Sequence, residues 1–333
     1  MPVPPMTITY RSLRNIDFDA LALLLNEADL ADGRAQNQTG EEIREDFESH
    51  PVDLANHTLA AWRGDQLVGA VYAYYLPSDV REVRCYVMGA VKPKCRGQGI
   101  GRVLLGWGIE KAEALLRSTK DDLPKYLRVD VSRANGSAIR LLERLGLQPV
   151  RYFADLHRPL AGPAPVIPPA PAANEASAGF RIVPWDLTRN DEARRVKDTA
   201  FQDHWGSTPT LPEWWVTATT GFGARRDLSF FAVNDYDDII GILLSHRYEN
   251  DDSLLGAKYA WINHIGTLAE WRGRGVATQL LVSALESYHS EGLDYAALGV
   301  DSDNPTGAYR LYESLGFVPW RQTVTYQREL LRS

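Results

Sequence analysis

The sequence predicts an α/β (α+β) protein of two tandem domains, each a mixed, mostly antiparallel sheet flanked by helices. Three observations predict it. A Pro/Ala-rich run, 161–178, interrupts the chain. The same succession of strand and helix patterns stands on both sides of it. Each side carries a glycine-rich basic loop between a strand pattern and a helix pattern.

The bulk composition fits two packed cores. The chain has 333 residues, 44% of them hydrophobic, with nine Trp and fifteen Tyr, enough for two domains of ordinary size. A net charge of −7 argues against a protein that coats nucleic acid, which needs clustered Lys and Arg. The two cysteines, Cys85 and Cys95, form neither a zinc pattern nor a disulfide framework, so no metal is expected and a reducing cytoplasm is the natural setting. The opening MPVPPMTITYRSL has no basic n-region and no apolar h-region, so a secretory signal is not expected. No apolar run is long enough for an ordinary membrane span.

The division follows from the run AGPAPVIPPAPAANEASA. It holds five of the nineteen prolines and one charged residue, a composition that favours an extended spacer. The expected domains are 1–160 and 179–333, with 161–178 as linker. In the first, Thr7–Tyr10 reads as a strand and Asp17–Leu30 as a helix. In the second, Phe180–Val183 and Asp191–Phe201 repeat that order. Two strands around a polar turn follow in each: HTLAAW and LVGAVYAYY, then LSFFAV and IIGILLSHRY. Each half closes on a short helix and a Leu-Gly ending, Leu145-Gly146-Leu147 and Leu315-Gly316-Phe317.

The loops read Lys94-Cys95-Arg96-Gly97-Gln98-Gly99-Ile100-Gly101-Arg102 and Glu270-Trp271-Arg272-Gly273-Arg274-Gly275-Val276-Ala277-Thr278. Each runs into an amphipathic helix pattern; the second is VATQLLVSALESYHSEG. A glycine-rich turn that opens a helix directs successive N–H groups at one anion, and the helix adds about half a positive charge. Neither loop has the P-loop spacing or the dinucleotide fingerprint.

With both loops in view, the sequence resembles the GNAT superfamily of acyl-CoA-dependent N-acyltransferases, whose signature is Arg/Gln-x-x-Gly-x-Gly/Ala at a helix start. Arg96-Gly97-Gln98-Gly99-Ile100-Gly101 and Arg272-Gly273-Arg274-Gly275-Val276-Ala277 both match it. Downstream, Asn304 and Ala308-Tyr309-Arg310-Leu311-Tyr312-Glu313-Ser314-Leu315-Gly316-Phe317 resemble the family's closing helix. The resemblance covers nearly the whole chain apart from the linker. It implies two GNAT-like domains in which the strand before the loop and the next strand splay apart, with pantetheine in the gap. The implied acetyl-CoA contacts are Ile265, Thr267, Leu268, Arg272, Gly273, Arg274, Gly275, Val276, Ala277, Thr278, Asn304 and Tyr309 in the second half. In the first half they are Val91, Arg96, Gly97, Gln98, Gly99, Ile100 and Gly101.

Acetyl transfer to an amine needs a polarised thioester carbonyl, a neutral amine and a protonated leaving thiolate. The resemblance assigns the first to a backbone N–H at Thr267 or Leu268 and the last to Tyr312. In the first half Leu142 stands where Tyr312 stands, and leucine donates no proton, so the first domain is expected to be non-catalytic. Many family members carry a Glu base on the strand before the loop; AWINHIGTL has none. His264 is the titratable residue of that strand, although strict alternation turns it away from Ile265 and Thr267 unless a bulge intervenes. Asp301, Asp303 and His204 are the alternatives.

Seven of the nine tryptophans lie in the second half, and Trp205, Trp214 and Trp215 fall where the family's first helices form the acceptor wall. They read equally as an aromatic wall for a small organic amine and as core residues. The tandem layout resembles mycothiol synthase and its relatives, with no residue set that fixes that acceptor. The expected function is acetyl transfer from acetyl-CoA to a small-molecule primary amine in the second domain. The other readings are a non-catalytic acyl-CoA sensor and a peptide or protein N-acetyltransferase. Oligomeric state is not legible in the sequence.

Overall fold

The computed structural model describes residues 7–34, 36–49, 52–78, 80–120, 122–161, 179–303 and 307–330. Asn304 and the expected linker beyond Ala161 lie outside them. The chain forms two compact units, residues 1–152 with 321–333, and residues 153–320.

Unit 1 opens with β1 (Ile8–Arg11), α1 (Phe18–Ala31), α2 (Gly40–Ser49) and the single turn α3 (Leu54–His57). Then come β2 (Thr58–Arg63), β3 (Gln66–Leu76), β4 (Val83–Val91), α4 (Ile100–Ser118), β5 (Lys125–Ser132) and α5 (Gly136–Arg144). The chain passes through β6 (Gln148–Pro159) to unit 2. There the order is β7 (Phe180–Pro184), α6 (Asn190–Ala200), α7 (Pro212–Thr220), β8 (Phe230–Asn234), β9 (Ile239–His246) and the turn α8 (Asp252–Leu255). It ends in β10 (Tyr259–Thr267), α9 (Val276–Ser290), β11 (Tyr295–Asp301), α10 (Ala308–Ser314) and β12 (Val318–Leu330).

The sheet of unit 1 runs β1-β2-β3-β4-β5-β12, and that of unit 2 runs β6-β11-β10-β9-β8-β7. Neighbours are antiparallel except β4 with β5 and β10 with β11. The closing strands depart from a division at 160 and 179. β12 pairs with β5 from Thr323 to Leu330, and Phe153–Pro159 of β6 pair with β11. An open strand edge accepts any extended segment, because the bonds it offers are backbone bonds. Hydrophobic pattern therefore identifies these strands and leaves their partner undetermined.

The central strands are buried on both faces, as their near-continuous apolar runs require. Every residue of β9, IIGILLSH, is buried. On one face α9 packs Leu280, Ala284, Leu285 and Tyr288 onto Ile240, Leu243, Ala260, Ile262 and Leu298. On the other, α6 and α7 pack Ala193, Val196 and Trp215 onto Phe231, Ile242 and Leu244. Trp215 is 1% exposed and its Nε1 donates to the Asn190 carbonyl, so it is a core residue and not part of an acceptor wall. Cys85 and Cys95 are buried free thiols. Among the described residues, no helix is long and apolar enough to cross a membrane and no His/Cys/Asp/Glu cluster is arranged for a metal.

Candidate active site

Each unit contains one parallel strand pair that separates. β10 and β11 pair only from Tyr259/Tyr295 to Ile262/Leu298, yet run on to Thr267 and Asp301. β4 and β5 pair from Val83/Lys125 to Tyr86/Arg128 and run on to Val91 and Ser132. Past those points each pair leaves a gap edged by backbone groups.

The ladder on the far side of β10 decides which N–H faces that gap. Leu268 donates to the Ile240 carbonyl at 3.0 Å, so its N–H is engaged. Thr267 is the neighbour, and in an antiparallel ladder alternate residues bond to opposite sides. Thr267 and Ile265 therefore direct their N–H groups to the gap. In unit 1, Lys92 donates to the Val68 carbonyl at 2.9 Å, leaving Val91 in the position of Thr267. Of the two residues expected to offer the carbonyl donor, Thr267 is the one whose N–H faces the gap.

At the mouth of each gap lies the glycine-rich loop, and the two loops share one backbone conformation. Arg96 has φ −65°, ψ 157° and Arg272 has φ −66°, ψ 153°. Gly97 and Gly99 have φ 76° and 86°; Gly273 and Gly275 have 74° and 84°. The left-handed region is closed to most side chains. Gly99 and Gly275 stand as N-caps of α4 and α9 without a side-chain cap among the described residues, so the first-turn N–H groups lack the usual capping partner. A Cβ built on Gly97, Gly99 or Gly273 meets nothing within 4 Å. Converging N–H donors beside open space, at the positive end of a helix, suit the pyrophosphate of a coenzyme A. In unit 1 this loop borders a cleft of about 440 Å³ that reaches Val91, Leu141 and Leu142.

The loop side chains do other work. Arg272 Nε donates to the Thr267 carbonyl at 3.3 Å and its Nη2 to the Ala200 carbonyl at 3.0 Å. Arg96 Nε donates to the Val91 carbonyl at 3.2 Å. Both arginines brace the loop against its strand. Arg274 lies over the Trp271 ring at 4.8 Å. The Gln98 amide donates to the Lys94 carbonyl and accepts from Arg63. Ile100 and Val276 are buried helix starts, with Gly101, Ala277 and Thr278 half-buried beside them.

Arg96 has a further contact that has no counterpart in the second loop among the described residues. Its guanidinium makes a two-point ion pair with Asp32, at 2.6 and 2.9 Å. Asn135 Nδ2 also donates to the Asp32 carboxylate, and Ser132 Oγ donates to its carbonyl, both at 2.8 Å. Asp32 thus ties the loop of unit 1 to the end of β5, across the mouth of its gap. A lone Asp after a helix gave no sequence signal for this.

Leu142 and Tyr312 occupy the same structural position. Leu145 and Leu147 donate to the Leu142 carbonyl at 3.1 Å, and Leu315 and Phe317 donate to the Tyr312 carbonyl at 3.1 and 3.0 Å. Gly146 and Gly316 follow with φ 81° and 82°. Tyr312 is 7% exposed, and its ring meets Phe317 edge-on at 6.1 Å. Burial pushes its phenol up to about 12, so the hydroxyl keeps its proton throughout the neutral range. Ile265 and Tyr309 pack partly buried against the same core.

The histidines are placed by a β-bulge. The register slips between Ile262 and His264, leaving Asn263 exposed and turning His264 and Gly266 toward α6. Phe201, just past α6, lies against Gly266: a Cβ there would stand 2.9 Å from the Phe201 ring. A strand-interior glycine is the sequence mark of such a close approach. His264 sits 6.2 Å from the Phe201 ring and 5.6 Å from that of Trp215, and its Nδ1 donates to the Asn263 carbonyl. Desolvation pushes it down to about 4. His204 is half-buried, its ring 4.5 Å from Phe201. Burial lowers its pKa; Arg272 and Lys197 lower it further, while Asp301 and Asp203 raise it. Asp303 donates its N–H to Asp301 Oδ1 at 3.0 Å, closing the strand end. Trp205 lies 6.3 Å from Phe153 of β6, and Trp214 is half-buried.

Two repeats of one splayed sheet, each with the same glycine-rich turn at the helix start, define an acyltransferase fold. The chain belongs to the Acetyltransferase (GNAT) family, whose profile matches residues 23–147 and again 191–317. It is similar to a mycothiol acetyltransferase of Thermobispora bispora, 29% identical over 81% of this chain and 83% of that one. The mycothiol acetyltransferase of Kocuria rhizophila is 28% identical over 97% of this chain and 100% of its own. Among solved structures, a GCN5-related N-acetyltransferase from Sphaerobacter thermophilus superposes with a TM-score of 0.72 at 26% identity, covering 97% of this chain and 95% of that one.

Proposed function

We propose that this protein moves an acetyl group from acetyl-CoA to the primary amine of a small molecule, by direct attack in a ternary complex, with the active site in unit 2. The observation that carries the reading is the equivalence of Tyr312 and Leu142: one helix end, made twice, bears a proton donor only in unit 2. When bound, acetyl-CoA supplies the activated thioester. Around it, the N–H groups from Gly273 to Thr278 hold the pyrophosphate, with Arg272 fixing the loop. The Thr267 N–H polarises the acyl oxygen. Tyr312 holds a proton for the departing sulfur. Unit 1 keeps the phosphate turn and the cleft, and so the means to bind a coenzyme A, but has leucine at the acid position and Asp32 across its mouth.

The named relatives place the amine precursor of mycothiol first on a panel of acceptors that also holds amino sugars, amino acids and short peptides. Coupled release of free thiol from acetyl-CoA, with each amine in turn, tests the reading. Acceptor-dependent thiol release and an acetylated product are expected. Coenzyme A binding without any acceptor-dependent release points instead to a sensor.

A further inference from the structure

We propose that His204 is the general base that takes the proton from the acceptor amine, with Asp301 as the carboxylate that stabilises the resulting imidazolium. The assignment rests on the acetyltransferase reading above and supplies the group that the strand before the loop does not provide as an acid.

On β11, Leu298 and Val300 point into the core under α9, so Gly299 and Asp301 face the other side of the sheet. The bulge at Asn263 turns Gly266 to that same side, where Phe201 closes on it. His204 packs against Phe201 with ring centroids 4.5 Å apart and planes tilted by 41°. One aromatic ring thus separates the imidazole from the strand position preceding Thr267, whose N–H faces the gap. Asp301 ends the opposite strand of that gap.

The charges around His204 come from every element near it. Lys197 on α6 and Arg272 on the loop disfavour the imidazolium; Asp203 beside it and Asp301 on β11 favour it. The result is a histidine neutral at pH 7 with a carboxylate ready to offset the charge it gains. His264 is the poorer base. It is wedged beside the fully buried Trp215, spends Nδ1 on the Asn263 carbonyl, and is depressed to about 4. His204 is partly open to solvent and so to an acceptor.

An acceptor arrives as an ammonium, and His204 removes one N–H proton, freeing the lone pair. The C–N bond forms as the C–S bond breaks, and the sulfur leaves with that electron pair and takes the Tyr312 proton. The tyrosinate recovers a proton from the acylated nitrogen, and the imidazolium releases its own to solvent. Atoms and charge balance without another reactant.

The test uses the full chain, acetyl-CoA, and whichever of glucosamine, cysteine, lysine and spermidine the wild type acetylates. His204→Gln is expected to lower kcat on the order of 10²-fold, to abolish the acidic limb of the kcat/KM profile, and to leave coenzyme A affinity by calorimetry unchanged. A readout independent of turnover is the His204 imidazole titration followed by NMR. Asp301→Asn is expected to move that titration, and the acidic limb with it, to lower pH. Wild-type kcat and an unmoved limb in His204→Gln overturn the base assignment and leave the acetyltransferase reading standing. A wild type that acetylates neither these amines nor any other acceptor of the panel above, the amine precursor of mycothiol included, fails the acetyltransferase reading and takes the base with it.

Discussion

Arg272 Nε donates to the carbonyl of Thr267, five residues earlier, at 3.3 Å. The glycine-rich loop is thereby fastened to the end of β10, where the Thr267 N–H faces the gap; in the proposed function this joins the phosphate turn to the donor for the acyl oxygen. The guanidinium acts as a brace, and the proposed function leaves the anion to the backbone. Arg272→Met is expected to weaken coenzyme A binding on the order of tenfold, the range of one charge-assisted hydrogen bond, without eliminating it. Calorimetry with coenzyme A measures this; a complete loss of binding would make the guanidinium itself the phosphate ligand.

Asp32 makes the corresponding prediction for unit 1. Its carboxylate, 13% exposed, pairs with Arg96 and Asn135. Asp32→Ala leaves a half-buried guanidinium without its ion pair and is expected to cost about 1–3 kcal/mol in chemical denaturation. Because this tie crosses the mouth of the gap, Leu142→Tyr is expected to give unit 1 no transferase activity when combined with Tyr312→Phe. Turnover in that double variant above that of Tyr312→Phe alone would refute the barrier assigned to Asp32.

Gly266 of β10 stands in close contact with the end of α6. Its missing Cβ would stand 2.9 Å from Phe201 and 3.0 Å from the Ala200 Cβ. Gly266→Ala must push α6 or the Phe201 ring outward, at a cost of about 1–3 kcal/mol. Thermal unfolding is expected to show that loss together with a raised acceptor KM. An unchanged Tm would show that Phe201 yields freely and does not define the wall.

His246 and His264 set an acid limit on stability. Desolvation, first among the causes, depresses both to about 4, below the ordinary value near 6.5. The unfolded chain therefore binds more protons between pH 6.5 and 4, and stability falls as pH falls through that window. The slope is about 1.4 kcal/mol per pH unit for each such histidine. Denaturation midpoints between pH 6.5 and 4.5 test it. His246→Gln is expected to flatten the slope, and an equally steep slope in that variant would contradict the assignment.

The repeat, the strands, the two loops and Tyr312 are legible in the sequence because each is local. A near-continuous apolar run makes β9, the glycines at 273 and 275 make the turn, and the Leu-Gly ending marks the closing helix. Three features are not local. The exchange of β6 and β12 depends on which open edge each strand meets. The Asp32 tie joins residues about a hundred positions apart. The facing of His264 turns on a bulge at Asn263, which strict alternation does not reveal. Trp215 shows the same limit: composition marks an aromatic-rich half without separating wall from core.

The most direct test of the central claim is acetyl transfer from acetyl-CoA across the amine panel by wild type and Tyr312→Phe, with coenzyme A affinity measured alongside. The account predicts that some amine is acetylated and that Tyr312→Phe loses most of kcat, on the order of 10²-fold, at unchanged affinity. Equal turnover by the two proteins would contradict it, because unit 2 would then need no proton from Tyr312.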